Sequence, residues 1–144
     1  MGATFQFRIL KITKLLYSVF LFCFTSHTVK AQRPISKTDS SIIGVWNGTS
    51  ICQAKNSPCH DEIVVYRISK GQGADTFNIS ASKVVNGKEV DMGSIRFKFD
   101  KTTNRLTSAS STGLWTFTLK GKDLDGTITF HGDLYRIIKL SKQN

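Results

Sequence analysis

The side chains best suited to chemistry lie in the run His60-Asp61-Glu62, with His131 and Asp133 further along the 144-residue chain. Imidazole and carboxylate groups are the usual choices for general acid–base catalysis and for zinc binding. Adjacent residues of a strand point to opposite faces, however, so His60 and Asp61 would not converge on one atom. The sequence also has no His-x-His, His-x-x-x-His or Gly-x-Ser-x-Gly pattern. We therefore expect no enzyme, no metal site and no cofactor.

Two cysteines, Cys52 and Cys59, offer a second kind of chemistry. Six residues separate them, and they would meet an oxidising compartment as a pair if the chain is exported. The sequence therefore predicts a disulfide between Cys52 and Cys59. Closing so short a loop contributes about 2 to 3 kcal/mol to the stability of the fold. The bridge would therefore constrain the chain locally and would not replace a hydrophobic core.

Residues 1–31 have the pattern of an export signal of bacterial type. A basic start is followed by the apolar run 15–24 and then by Val29-Lys30-Ala31, a suitable cleavage site. The apolar run has ten residues, whereas a helix that crosses a bilayer needs about 20, so we expect no stable membrane anchor. The expected location is the periplasm or the extracellular space.

The chain is basic, with 20 Lys and Arg against 10 Asp and Glu and a formal net charge of +10. Basic residues around the middle of the chain alternate with phenylalanines, as in the run 95–100. A single-strand nucleic-acid site would need aromatic side chains on the same face as the charges. We therefore expect no nucleic-acid partner, and the basic residues are interpreted as a solvated surface.

Residues 32–42 are predicted to form a polar tether, in which one short helical turn could precede the first strand. The chain then alternates apolar and polar residues in short runs. Turn residues such as Asn86-Gly87 separate the runs, and only the 52–62 and 84–93 connections are predicted to be longer than a tight turn. Short links place successive strands side by side. We predict an all-β domain over residues 43–144, an eight-stranded antiparallel up-and-down barrel. The predicted strands are 44–52, 62–69, 75–84, 93–100, 104–109, 113–120, 124–130 and 133–140.

Gly44 and Trp46 stand at the start of the first strand, and Arg136 stands in the last one. A guanidinium over an indole would join the two ends of a barrel as a structural clasp. Together with the eight meandering strands, these three residues resemble the lipocalin-like (calycin) barrels over residues 43–140. The resemblance implies a container for small, mostly apolar molecules. The stretch 49–66 is also similar to small exported bacterial proteins.

The leading hypothesis is an exported, non-enzymatic protein that holds a small apolar or amphipathic ligand inside the barrel. Arg136 would serve as the clasp or reach inward to a ligand carboxylate, because a buried guanidinium needs an acceptor. Whether the interior is filled or keeps a narrow cavity near one mouth depends on side-chain volume. The alternative is an interaction or inhibitor module that contacts an envelope protein through the Cys52–Cys59 loop on a filled barrel. The candidate lining residues are Phe77, Phe97, Phe99, Trp115, Phe117, Phe130 and Arg136.

Overall fold

A computed structural model describes residues 37–144, and the predicted signal at 1–31 lies outside this part of the chain. No helix within residues 37–144 is long and apolar enough to cross a membrane. The described part contains one short helix, α1 (Lys37–Ile42), and eight strands. The strands are β1 (Gly44–Cys52), β2 (Glu62–Lys70), β3 (Thr76–Val85), β4 (Lys88–Asp100), β5 (Arg105–Ala109), β6 (Gly113–Lys120), β7 (Asp123–Phe130) and β8 (Asp133–Lys142).

The eight strands form a closed antiparallel barrel in sequence order, and β1 completes it by pairing with β8. Each strand places alternate residues on the inner face. Closure therefore removes the inward apolar side chains from water and leaves no unpaired sheet edge. The predicted fold class is confirmed. The short connections make each strand the neighbour of the next, as the up-and-down topology requires.

The predicted long connection at 84–93 is wrong. Val85 pairs with Lys88 across the two-residue turn Asn86-Gly87, in which the φ angles are +51° at Asn86 and +75° at Gly87. Both residue types tolerate positive φ, so a two-residue hairpin turn forms here. Strand β4 therefore begins five residues earlier than the sequence pattern indicated.

A β-bulge explains why the sequence pattern concealed the first part of β4. The pairing of β4 with β3 shifts at this point, so that Gly93 lies opposite Ala81 while Asp91 lies opposite Ser82. Met92 is the extra residue, and it breaks the alternation of apolar and polar side chains. Gly93 has a φ of +96°, and its N–H donates a hydrogen bond of 3.2 Å to the Asp91 carboxylate.

The inner faces of the strands meet in one hydrophobic core that is dominated by aromatic rings. Phe117 packs edge to face against Tyr66 and Phe97, with ring centroids 6.0 and 5.5 Å apart. Gly126 lies directly beneath the Phe117 ring, and a Cβ at this position would collide with it. The missing side chain of one strand therefore makes room for the large side chain of its neighbour.

Helix α1 closes one end of the barrel. Ile42, its last residue, is fully buried, and its carbonyl oxygen accepts a hydrogen bond of 2.9 Å from the indole N–H of Trp46. Lys142 of β8 donates hydrogen bonds of 2.9 and 2.8 Å to the carbonyl oxygens of Ser40 and Ser41, and its ammonium lies 5.7 Å from the centre of the Trp46 ring. The helical turn predicted before the first strand is present, and residues 37–42 are a helix instead of a continuation of the polar tether.

The predicted contact between Arg136 and Trp46 is wrong, and Lys142 occupies the place above the indole. In the pairing of β1 with β8, Trp46 lies opposite Lys142, whereas Arg136 lies opposite Cys52. Six residues along a strand correspond to about 20 Å, so Arg136 belongs to the other end of the barrel. Gly44 does belong to the closed end: its φ is +143°, and a Cβ there would meet the Lys142 side chain.

Replacing Lys142 with methionine should therefore loosen the closed end. The carbonyl oxygens of Ser40 and Ser41 would lose their charged donor, which we expect to lower the free energy of unfolding by about 1 to 2 kcal/mol and to shift the near-ultraviolet circular dichroism of the indole. Chemical denaturation measures the first effect. Lys139→Met, at an exposed position of the same strand, is the matched control and should change neither quantity; equal effects of the two substitutions would contradict the contact.

Candidate functional site

The end of the barrel opposite α1 contains a cavity of about 230 Å³. It lies beside the ends of β1, β3 and β7 and the starts of β2, β4, β6 and β8. Met92 and Ile95 on its wall are 42% and 38% exposed, so the cavity communicates with solvent. The barrel is therefore filled at one end and hollow at the other. The lining residues are Ser50, Glu62, Tyr66, Ile79, Ala81, Met92, Gly93, Ile95, Phe97, Trp115, Phe117, Ile128 and Arg136.

Four of the seven candidate lining residues, namely Phe97, Trp115, Phe117 and Arg136, are on the cavity wall. The other three do not line it. Phe77 and Phe99 are buried together in the core, with ring centroids 6.0 Å apart, and Phe130 packs against Trp115 and Tyr135 at 5.6 and 5.1 Å. Alternation identifies the inner face of a strand, but it does not tell how far along the barrel axis a residue lies.

The sequence reasoning missed most of the smaller residues of the wall. Ile79, Ala81, Ile95 and Ile128 belong to the inward sets of their strands, so alternation was the available signal for them. Met92 carried no such signal, because the bulge that brings it to the cavity also breaks the alternation. Three polar residues were missed as well, namely Ser50, Glu62 and Tyr66.

The polar sector of the wall is built around an ion pair between Arg136 and Glu62. Their closest atoms, Nη1 and Oε2, are 3.2 Å apart, and both side chains are only 12% exposed. The same guanidinium nitrogen lies 3.1 Å from the Ser50 hydroxyl, 3.2 Å from the Ser50 carbonyl oxygen and 3.3 Å from the His60 carbonyl oxygen. The protein itself thus supplies the acceptors that a buried guanidinium requires.

Two further groups contact or face this ion pair. Lys83 of β3 reaches the second carboxylate oxygen of Glu62 at 3.4 Å. Tyr66, which is 6% exposed, has a pKa raised to about 12, chiefly because burial disfavours the phenolate, with Arg136 lowering and Glu62 raising it. The hydroxyl of Tyr66 is therefore a neutral hydrogen-bonding group throughout the physiological range of pH.

The run His60-Asp61-Glu62 does not converge on one point. The His60 ring is 3.2 Å from the carbonyl oxygen of Pro58, Asp61 accepts a hydrogen bond of 2.9 Å from the Cys52 N–H, and only Glu62 faces the cavity. His131 occupies a turn with a φ of +50°. Among residues 37–144, no group of three His, Cys, Asp or Glu side chains is placed to hold a metal ion.

The predicted disulfide between Cys52 and Cys59 is present, and the two Cα atoms are 5.9 Å apart. It closes the connection between β1 and β2 at the rim of the cavity. The Gln53 N–H donates a hydrogen bond of 2.9 Å to the carbonyl oxygen of Tyr135, which ties this loop to β8 next to Arg136. The disulfide thus fixes the segment from which His60 and Glu62 approach the guanidinium.

An up-and-down antiparallel barrel of eight strands, closed by the pairing of first and last, is the architecture of the lipocalins. The fold is therefore a lipocalin-like barrel. Among solved structures, the chain is similar to the siderocalin Ex-FABP, which is described as functioning through dual ligand specificities. The two chains are 11% identical with a TM-score of 0.39, and the match covers 72% of this chain and 71% of that chain. The chain is also similar to the siderocalin Q83, described as having a dual ligand binding mode, with 12% identity and a TM-score of 0.34. This match covers 73% of this chain and 71% of that chain.

At these identities and TM-scores the likeness carries no ligand or role of those proteins over to this chain. No family model matches the sequence, and no curated protein matches it. The cavity is therefore the feature of the barrel that bears on its function.

The raised pKa of Tyr66 has a measurable consequence. Unfolded tyrosine ionises near pH 10, so the stabilising contribution of the neutral buried phenol is complete below pH 10 and is lost as the pH rises towards 12. The loss should amount to about 3 kcal/mol, and Tyr66→Phe should abolish this pH dependence. The difference in absorbance at alkaline pH between the protein and Tyr66→Phe isolates the group; ionisation of Tyr66 near pH 10 would contradict the burial.

Proposed function

We propose that this chain is a non-enzymatic binding protein that holds a small apolar or amphipathic ligand in the cavity of its barrel. The observation that carries the proposal is the cavity itself, a space of about 230 Å³ that opens to solvent at one end of an otherwise filled barrel. A fold that could have filled this end with larger side chains has small ones there instead, notably Ala81 and Gly93.

The chemistry of the wall favours a ligand that is mostly apolar. The aromatic rings of Phe97, Trp115 and Phe117 face the space together with aliphatic side chains from β3, β4 and β7. Such surfaces bind flat or flexible hydrocarbon groups by removing them from water. One side of the cavity is polar, so a ligand with one hydrogen-bonding group would suit the wall better than a pure hydrocarbon.

The hydrogen-bonding group of the ligand should be uncharged. The guanidinium of Arg136 is already paired with Glu62 at 3.2 Å, so a ligand carboxylate that bound Arg136 would have to displace Glu62 or lie beside it at the cost of like-charge repulsion. Ser50 and Tyr66 present hydroxyl groups on the same side. A hydroxyl or carbonyl group on the ligand could exchange hydrogen bonds with them, and this replaces the earlier expectation of a ligand carboxylate bound by Arg136.

We also propose that the protein works after export, in the periplasm or outside the cell. The Cys52–Cys59 disulfide supports this location, because such bonds persist in oxidising compartments. The competing hypothesis is that the loop closed by the Cys52–Cys59 disulfide binds an envelope protein, and it assumed a filled barrel. The cavity beside that loop makes a small ligand the better-supported partner.

Filling the cavity from within tests the proposal. Ala81→Phe would place a ring in the space, whereas Ser80→Phe adds the same ring to the outer face of the same strand and is the matched control. The uncharged probe N-phenylnaphthylamine should bind the unmodified protein with a rise in its emission. Its affinity should fall about tenfold or more in Ala81→Phe and change less than about twofold in Ser80→Phe. Equal affinity in all three proteins would contradict binding in the cavity.

A second readout distinguishes the two ends of the barrel. Trp115 lines the cavity, whereas Trp46 is buried at the closed end. The change in tryptophan emission on binding should therefore survive Trp46→Phe and disappear in Trp115→Phe. The reverse pattern would place the probe at the wrong end of the molecule.

A further inference from the structure

The hairpin formed by β3 and β4 continues beyond the body of the barrel. The pairing of β2 with β3 ends at Lys83, and the pairing of β4 with β5 includes only Lys98, Phe99 and Asp100. The tip of the hairpin is thus held in the sheet only by its own two strands. From Ala81 at the cavity to Asn86 at the turn, five residues of extended chain span about 16 Å.

The inner face of this extension carries two exposed valines, with Lys83 and Lys88 at the paired positions beside them. Lys83 contacts Glu62 on the cavity wall, which identifies the inward face of β3, and the same face carries Val85 two residues later. Val90 lies opposite Lys83, so it shares that face, and both valines are more than 40% exposed. Together with Met92 on the wall they form a strip, Val85, Val90 and Met92, that leads out of the cavity.

Contacts on both faces hold the hairpin in position. On the outer face, Arg67 of β2 makes two hydrogen bonds of 2.7 and 2.9 Å to the carboxylate of Glu89. On the inner face, Lys83 contacts Glu62 at 3.4 Å. The apolar strip therefore belongs to a positioned surface above the mouth, and a ligand that covers it would bind with little loss of backbone freedom.

The cavity alone is small for a ligand site. Its volume of about 230 Å³ lies below the usual range of about 300 to 1,000 Å³ and corresponds to about eight groups of the size of a water molecule. A ligand that continued from the cavity onto the strip would bury more apolar surface than the cavity provides. The continuity between the two surfaces thus points to one long occupant.

We propose that the ligand is an elongated aliphatic chain whose first part fills the cavity and whose remainder lies along the inner face of the β3–β4 hairpin. This inference rests on the proposed function, and it specifies the class of ligand. Compact ring systems would fill the cavity and leave Val85 and Val90 uncovered. A linear chain reaches both valines without a change in the barrel.

A series of straight-chain primary alcohols separates the two parts of the surface. Hexanol and octanol match the cavity, and decanol, dodecanol and tetradecanol would extend onto the hairpin. We expect the affinity, measured by displacement of N-phenylnaphthylamine, to rise about twofold for each methylene added beyond octanol, since these groups would be half covered. In the double variant Val85→Ser/Val90→Ser this increase should vanish, while hexanol and octanol bind as before.

Ile63→Ser/Leu114→Ser is the matched control, because both residues are exposed on outward positions and neither lines the cavity. It should retain the full increase with chain length, and circular dichroism should show that both double variants remain folded. An affinity that stays constant beyond octanol, or an increase that survives in Val85→Ser/Val90→Ser, would overturn the elongated ligand alone. Failure of every alcohol, including hexanol, to bind would overturn the proposed function as well.

Light scattering adds one more outcome. The protein should be monomeric, with the same mass as Val85→Ser/Val90→Ser. A dimer that dissociates in this variant would assign the strip to contact between two copies of the chain and would overturn the proposal.

Discussion

The pairing of β1 with β8 is the constraint on which the rest of this structure depends. It converts a meander of strands, each apolar on one face, into a cylinder whose interior is separated from water. Closure also sets the register between the two ends of the chain. That register decides which residues of β8 face the helix-capped end and which face the cavity.

Once the cylinder is closed, side-chain volume determines what it can hold. Trp46, Phe77 and Phe99 are buried, and α1 covers the closed end near Trp46. At the other end, Ala81 and Gly93 occupy inward positions on facing strands, and a space remains. The interior therefore changes from a packed core to a cavity along one axis, and a single barrel combines the stability of the first with the binding capacity of the second.

The sequence allowed the number of strands, the inner faces and the disulfide to be predicted, because each depends on local alternation or on cysteine spacing. It did not allow the partner of Trp46 to be identified. Arg136 and Lys142 are both cations on inward positions of β8, and only the register with β1 shows that Lys142 reaches the indole. The bulge at Met92 was likewise not predictable, because an extra residue interrupts the alternation of apolar and polar residues in the same way as the end of a strand does.

The candidate site was partly predictable for the same reason. Phe97 and Phe77 lie on the inner faces of neighbouring strands and even pair with each other, yet only Phe97 lines the cavity. Depth along the barrel axis depends on strand tilt and stagger, which short-range patterns do not encode. Glu62 has polar neighbours in the sequence, and its position two residues before buried Val64 places it on the inward face.

The account depends most on the hollow end of the barrel being where an apolar ligand resides. Methyl NMR of the isoleucines tests this directly, because the chain has them at both ends and on the outside. Addition of octanol should shift the methyl signals of Ile79, Ile95 and Ile128 on the cavity wall and leave those of Ile42 and Ile68 near the closed end unchanged. Shifts confined to exposed Ile63, or no shift at all, would contradict a ligand-binding cavity.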